Sequence, residues 1–383
     1  MLTAIHMRRA LVFLTVGLAV AVPFVIGYRL SRGDRATSPV AVVDEVREAL
    51  AARYYRPVPP SVLQLGSVHR MISALGDPYT TYLAPVDYSL LRQATASRYS
   101  GIGVSVLPTP RGLVVVSLQP GPAERAGVRP GDTIVRIGGI PARRLDLSSA
   151  IARILGPSGS HVRLVLSRAH ERVDVDVLRT TVQAPLAEST LVPYAGRRWG
   201  DLRLASFREG SAAALRRQIE GLQRRGADGF VLDLRQNPGG LLEQAVAVSS
   251  LFLKKGVVVS LVGAHNPRQV YRAAGRAVTR LPLVVLVDRY SASSAEIVAA
   301  ALRDNQRATL VGERTFGKAV VQSIDPLDNG AALELTIARY TTPAGRNISG
   351  VGVVPAIRAV DNPATLRDEA LETALRVLSG PTS

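Results

Sequence analysis

Three lysines stand against forty-four arginines in this chain of 383 residues, and one of them, Lys318, lies in the stretch Thr315-Phe316-Gly317-Lys318. Wherever a fixed positive charge suffices, the composition has settled on arginine. A lysine amine differs in a way that matters for chemistry: burial and positive neighbours push its pKa toward neutrality, whereas a guanidinium stays protonated. Lys318 is therefore a candidate proton acceptor. A GC-rich genome would deplete lysine in the same way, so the meaning of Lys318 depends on its company.

That company begins upstream, where residues 281–287 form a short, unbroken run rich in β-branched residues, the pattern of a strand buried on both faces. The run ends in Asp288-Arg289-Tyr290-Ser291-Ala292-Ser293-Ser294-Ala295-Glu296, and residues 297–302 continue with helical character. This reads as strand, turn, helix. A serine at such a junction sits near the positive end of the helix with free backbone N–H groups beside it, which suits an alkoxide or a tetrahedral oxyanion. Ser291, Ser293 and Ser294 all qualify, and each would serve equally well as a helix cap. A third segment, residues 229–240, again delivers an apolar strand into a turn, Gly239-Gly240, before the helical residues 241–245. Paired glycines let the backbone approach a ligand closely and could furnish oxyanion-hole amides, although a tight strand-to-helix connection uses the same residues.

Rival machinery is poorly represented. The five histidines, His6, His69, His161, His170 and His265, lie outside these segments, and none has the HExxH spacing of a zinc hydrolase. The chain has no cysteine, which excludes a thiol nucleophile, disulfides and thiolate metal sites. No metal and no cofactor are implied. A net charge of +17 would suit nucleic acid or an anionic surface, yet the arginines are scattered and no aromatic-basic interleaving occurs, so nucleic acid is not an expected partner.

Taken in order, the three segments resemble the C-terminal processing peptidases, or tail-specific proteases, which are serine peptidases with a serine–lysine dyad. The family's glycine-serine-alanine-serine-alanine-serine-glutamate segment corresponds to residues 290–296, and its threonine-phenylalanine-glycine-lysine segment to residues 315–318. The resemblance implies Ser293 as nucleophile, Lys318 as general base and Gln322 as the residue that orients the base. Residues 233–240 match the family's aspartate-leucine-arginine-asparagine-asparagine-proline-glycine-glycine, with Gln236 in place of the first asparagine. That match implicates the amide of Gly239 or Gly240 in an oxyanion hole, with the amide of Ser294 as the second donor. Glu296, Asp304 and Arg307 also match the family and are read as a helix-terminal charge or a local ion pair. Ala356 stands where the family usually has an aspartate.

Residues 99–168 resemble a PDZ domain. Gly101-Ile102-Gly103-Val104 occupies the position of the carboxylate-binding loop, and residues 120–139 carry the turn and strand punctuation of PDZ modules in bacterial proteases. In such a domain a peptide adds as a strand and an apolar pocket reads its last side chain.

The remaining elements follow from periodicity. Residues 38–98 read as helices, with Val42, Val43, Val46, Leu50 and Tyr54 spaced for one apolar face. Asp77-Pro78-Tyr79, within a further family hallmark, reads as a structural turn. Residues 332–340 alternate like a strand, and residues 364–378 read as a closing helix with Leu366, Ala370, Leu371, Ala374 and Leu378 on one face. Residues 10–28 carry no charge and follow Arg8-Arg9, which is long enough for a membrane anchor; a signal peptide cleaved after Ala19-Val20-Ala21 is the alternative.

The expected plan is a short tail (1–9), an anchor or signal segment (10–28), a linker (29–37), a helical region (38–98), a PDZ domain (99–169), a peptidase core (170–360), and a closing helix and tail (361–383). By resemblance the core is α/β, a β-sheet flanked by helices and crotonase-like in outline. The expected function is a membrane-anchored serine endopeptidase on the extracytoplasmic side, binding exposed protein C-termini, and homo-oligomers are compatible with it. Two other readings remain open. A catalytically inactive PDZ adaptor would predict loss of Ser293, Lys318 or Gln322, and a crotonase-type acyl-thioester enzyme would need no serine and lysine in these two segments.

Overall fold

The computed structural model describes residues 39–380, apart from 96–97, 146, 170, 184, 266–267, 276, 363–364 and 366. The expected tail, anchor and linker lie outside the described residues. Among the described residues no helix is long and apolar enough to cross a membrane. The chain divides into two compact units, one holding residues 89–185 and 362–368, the other the rest of the described chain.

The larger unit opens with helices α1 (Pro39–Arg53), α2 (Pro60–Leu63) and α3 (Val68–Leu75). Val42, Val46, Leu50 and Tyr54 recur at helical spacing and are buried, packing with Met71 and Leu75 of α3 and with Leu333 and Leu335. The region expected to be wholly helical contains a strand, β1 (Thr81–Leu83), before α4 (Pro85–Thr95). A threonine, a tyrosine and a leucine suit an extended backbone, and they pair with Glu334, Leu333 and Ala332 of a later strand.

The smaller unit contains β2 (Arg98–Gly101), β3 (Val104–Thr109), β4 (Gly112–Leu118), α5 (Pro122–Arg125), β5 (Thr133–Ile137), β6 (Ile140–Pro141), α6 (Leu147–Ile154), β7 (His161–Arg168), β8 (Glu171–Leu178) and β9 (Thr180–Gln183). Its main sheet runs β3-β4-β5-β7-β8, with β6 on β5, and β2 pairs separately with β9. Strands β8 and β9 were expected in the peptidase core. They belong to this unit instead, because β8 pairs with β7 along its whole length and β9 closes on β2.

The larger unit resumes with β10 (Glu188–Tyr194), β11 (Arg197–Arg203), α7 (Ser211–Arg224), β12 (Gly229–Asp233), α8 (Leu242–Phe252), β13 (Val257–Val262) and β14 (Gln269–Arg272). It continues through β15 (Leu283–Val287), α9 (Ser294–Asp304), β16 (Thr309–Gly312), β17 (Val320–Pro326), β18 (Ala332–Thr341), β19 (Ile357–Arg358) and α10 (Glu369–Ser379). One sheet has the order β10-β11-β12-β15-β16-β19, parallel from β11 onward. Every residue of β12 and β15 is buried. Along them side chains alternate: Phe230, Leu232, Val285 and Val287 pack with the helices α7, α8 and α9, while Val231, Val284 and Leu286 pack with Ala370, Leu371 and Ala374 of α10. Cover on both faces is why these strands are unbroken apolar runs. The closing helix starts at Glu369, later than expected, and Leu366 lies outside the described residues. A second sheet joins β1, β18, β13 and β14, with β17 also paired to β18.

Close strand packing at the end of β16 makes one glycine indispensable. A Cβ at Gly312 (φ +128°) would stand 1.9 Å from the Val287 carbonyl oxygen. Gly312→Ala is expected to destabilise the protein by about 2 kcal/mol or more. Urea denaturation followed by the fluorescence of Trp199 would measure this, and an unchanged midpoint would contradict it.

Candidate active site

The three segments singled out in the sequence leave the carboxyl ends of three neighbouring parallel strands, β12, β15 and β16. This is where open parallel sheets place their ligands, because the loops on that edge diverge and leave a crevice. Asp288, at the end of β15, ties two of the loops together: its Oδ1 accepts from the amides of Gln236, Tyr290 and Ser291. Gln236, which replaces asparagine, adopts φ +59°, a left-handed conformation that asparagine takes more readily.

The three serines of the β15–α9 junction have different fates. Ser291 Oγ donates to the Leu234 carbonyl and accepts from the Asp288 amide. Ser294 Oγ donates to the Gly240 carbonyl. Ser293 Oγ is buried and donates to nothing among the described residues, facing the Glu296 amide as in a capping box, and its backbone has φ 54° and ψ −115°. A side chain other than glycine is strained there, and such strain persists only where the surroundings over-determine it. The junction is a sharp strand-to-helix elbow that thrusts one hydroxyl away from the backbone.

Lys318, in the loop between β16 and β17, is only 3% exposed, and its buried Nζ has no hydrogen-bond partner among the described residues. The amine stands 5.2 Å from the centre of the Tyr79 ring. Burial holds its pKa below the ordinary lysine value, against the opposing pull of Glu334, Asp77 and Glu296. Gln322, on β17, donates its Nε2 to the Tyr79 carbonyl, while its Oε1 is buried without a partner.

The backbones of Ser293 and Lys318 are bound to one another through two side chains. Glu296 accepts at one oxygen from the amides of both Ser293 and Lys318, each at 2.9 Å, and at the other from the Gly317 amide at 2.7 Å and the Thr315 hydroxyl. From β18, the Tyr340 hydroxyl points its hydrogen at the Lys318 carbonyl (2.6 Å), with the Ser293 carbonyl 3.3 Å away. Burial raises the Glu296 carboxyl above its ordinary value while its four hydrogen bonds favour ionisation. Although the two segments meet, the Ser293 hydroxyl and the Lys318 amine do not hydrogen-bond to each other. Catalytic pairs are often loose before substrate draws them together.

Gly239 (φ +102°) lies against the nucleophile elbow: a Cβ there would stand 2.8 Å from Ser293 Cβ and 3.0 Å from the Ser294 nitrogen. Its amide is occupied, donating to Asn237 Oδ1 at 2.9 Å. The Gly240 amide donates to nothing among the described residues. The Ser294 amide belongs to the first turn of α9, where N–H groups lack intrahelical acceptors. Among the described residues the amides of Gly240 and Ser294 are therefore unengaged, one on each of the two segments that meet at Gly239.

Sequence reasoning placed Glu296 outside the site, although a serine followed three residues later by glutamate is the signature of a capping box, in which the glutamate reaches back to the first amide. That signal was available. Tyr340 carried none, since its partners are distant in sequence, and Tyr79 stood out only as part of a structural turn.

In the smaller unit, Ile102 and Gly103 lie in the loop between β2 and β3, flanked by Gly101 and Val104. The Ile102 and Gly103 carbonyls accept from the Ala123 and Gln119 amides. Beside this loop a small cleft of about 50 Å³ is lined by Ile102, Gly103, Val104, Val106, Ile151, Ile154 and Leu155.

Comparison with known proteins bears on both units. Residues 198–359 match peptidase family S41, and residues 114–168 match the PDZ domain family. A carboxyl-terminal-processing protease of Picosynechococcus is 40% identical, the alignment covering 76% of this chain and 71% of that protein. The carboxy-terminal processing protease CtpA of Bacillus subtilis is 34% identical over 83% of this chain and 68% of its own. Among solved structures, a photosystem II D1 C-terminal processing protease superposes with a TM-score of 0.57 at 29% identity, covering 90% of this chain and 98% of that one.

The clamp makes a testable demand. Glu296→Gln keeps the size of the side chain but turns an amino group toward backbone N–H donors. It is expected to lower stability by about 2–3 kcal/mol and to speed amide exchange at Gly317 and Lys318. Exchange rates equal to those of the wild type would remove Glu296 from this role.

Proposed function

The chain belongs to the carboxyl-terminal-processing serine proteases of peptidase family S41, with a PDZ domain, and on that premise we propose that Ser293 and Lys318 are its catalytic dyad. The observation that carries the proposal is the selectivity of the elbow. Of three neighbouring serines, only Ser293 has a hydroxyl that donates to no acceptor among the described residues, and its backbone is held at the same carboxylate oxygen as that of Lys318. Leaving two buried polar atoms unpaired is unfavourable for stability, which argues that they are kept for chemistry.

In this reading neutral Lys318 takes the Ser293 proton as Oγ bonds to the substrate carbonyl carbon. The resulting oxyanion is met by the amides of Gly240 and Ser294, with Gly239 shaping the turn between them. The C–N bond then breaks, the leaving amine receives the proton from Lys318, and water hydrolyses the acyl-enzyme by the same path in reverse. Gln322 orients the amine, its free Oε1 being a suitable acceptor. The burial that lowers the lysine pKa favours the neutral amine that acts as the base.

Substrate recognition is assigned to the smaller unit. A substrate tail adds as a strand to β3, its carboxylate at Gly101, Ile102, Gly103 and Val104 and its last side chain in the aliphatic cleft beside α6. The uncharged residues 10–28 would anchor the enzyme in the membrane, with the catalytic unit on the extracytoplasmic side facing the tails of envelope or secreted proteins.

A fluorophosphonate probe is expected to label Ser293 and to leave Ser293→Ala untouched. Lys318→Arg, which keeps the charge but cannot act as a base, is expected to lower kcat by at least about 100-fold. In the wild type, turnover should rise with pH as Lys318 loses its proton, with a midpoint below that of an ordinary lysine. A peptide ending in an aliphatic residue should be cleaved faster than the same peptide carrying a C-terminal amide; equal rates would exclude carboxylate recognition.

A further inference from the structure

The proposed dyad leaves one buried acid unused. Glu334, on β18, is 5% exposed, and the charged groups that act on it are Lys318 and Asp77. It pairs in register with Thr81 of β1 and Ile324 of β17, and two residues on, Thr336 pairs with Gln322. Residues two apart on a strand, and their direct partners, share one face of a sheet. Glu334, Thr336 and Gln322 therefore share a face. The turn before β1 lies against the same face: Thr80 Oγ1 accepts from the Thr336 amide, and the Tyr79 carbonyl accepts from Gln322. The Lys318 amine stands over the Tyr79 ring of that turn.

Three carboxylates act on Lys318, and Glu334 exerts the largest influence, ahead of Asp77 and Glu296. The other two are committed. Glu296 spends both oxygens on four donors, and Asp77 accepts from the Tyr79 amide and the hydroxyls of Tyr54 and Thr80. Among the described residues Glu334 has the Gln322 side chain as its polar side-chain neighbour. An amine that accepts a proton in a buried site becomes an ammonium that water cannot solvate, and such a charge needs a counter-charge.

We propose that Glu334 is a positioning residue of the reaction, the acid whose negative charge balances the ammonium formed when Lys318 takes the Ser293 proton. The proposal rests on the serine–lysine reading above. The proton travels from Ser293 Oγ to Lys318 Nζ and later to the leaving amine, and none passes to or from Glu334, which acts in its ionised form. Burial pushes the Glu334 carboxyl up to about 7, with Lys318 and Gln322 pulling it down and Asp77 pushing it further up, so its charge is gained close to neutral pH. The other groups facing this pocket are Asp77 and Tyr79 from the turn before β1, Glu296 from α9, Tyr340 from β18 and Tyr54 at the end of α1. Burial raises all three phenols, which keeps them uncharged through the neutral range.

The sign of the effect is fixed by charge. Removing a carboxylate beside Lys318 lets the amine lose its proton more easily and makes it a weaker base. With the full chain and a peptide substrate, Glu334→Gln is expected to move the ascending limb of the kcat–pH profile to lower pH by about one unit. The plateau should fall by up to about tenfold, with KM unchanged. Glu334→Asp, which retains a displaced carboxylate, should shift the limb in the same direction by less. A Glu334→Gln profile superimposable on that of the wild type overturns the proposal; should that variant fail to fold, a Glu334→Asp limb at the wild-type position does the same. Fluorophosphonate labelling separates this from failure of the dyad itself. Labelled Ser293 with an unmoved pH limb overturns the role of Glu334 alone, whereas unlabelled Ser293 and an active Lys318→Arg variant remove the dyad and this proposal with it.

Discussion

One buried carboxylate holds the site together. Glu296 sits in the first turn of α9 and collects donors from both the serine elbow and the lysine loop, so two segments from the ends of adjacent strands become a single rigid unit. Its position in the helix matters. The first amides of a helix have no internal acceptors, and an acid three residues in satisfies one of them while its other lone pairs reach outward. Tyr340 completes the clamp from the opposite sheet, binding at the carbonyl side what Glu296 binds at the amide side.

This arrangement separates what must be rigid from what must be reactive. The backbone amides of Ser293 and Lys318 and the Lys318 carbonyl are engaged through the clamp, whereas among the described residues the hydroxyl and the amine they carry donate to nothing in a buried pocket. Desolvation then has opposite uses for different groups. It depresses the lysine so that a neutral base is accessible, and it raises the surrounding phenols and carboxyls. The turn at residues 77–81 supplies much of the wall, with the Tyr79 ring over the amine and the Tyr79 carbonyl fixing Gln322.

The strands β12 and β15, which deliver the glycines and the serine, were legible because their burial is simple. Helices cover both faces of β12 and β15, so their sequences are continuous apolar runs with turn residues at each end. The strand β1 was not legible, since three residues carry too little periodicity and its pairing partner lies some 250 residues away. Strands β8 and β9 were assigned to the wrong unit for a related reason: alternation reveals a strand but not the edge it joins. Ser291, Ser293 and Ser294 are chemically alike in sequence, and only the hydrogen bonds of the folded chain distinguish them.

By itself the sequence determined which residue types stand at the strand ends: a serine before a helix, a lone loop lysine, paired glycines and a capping glutamate. These depend on local spacing, and local spacing is written along the chain. Only the tertiary structure decided that Glu296 and Tyr340 bind both segments, that Gly239 has its amide occupied while Gly240 does not, and that Glu334 shares a face with Gln322. Those facts arise from strand register and loop closure between residues far apart in sequence, where a shift of one position reverses the face a side chain occupies.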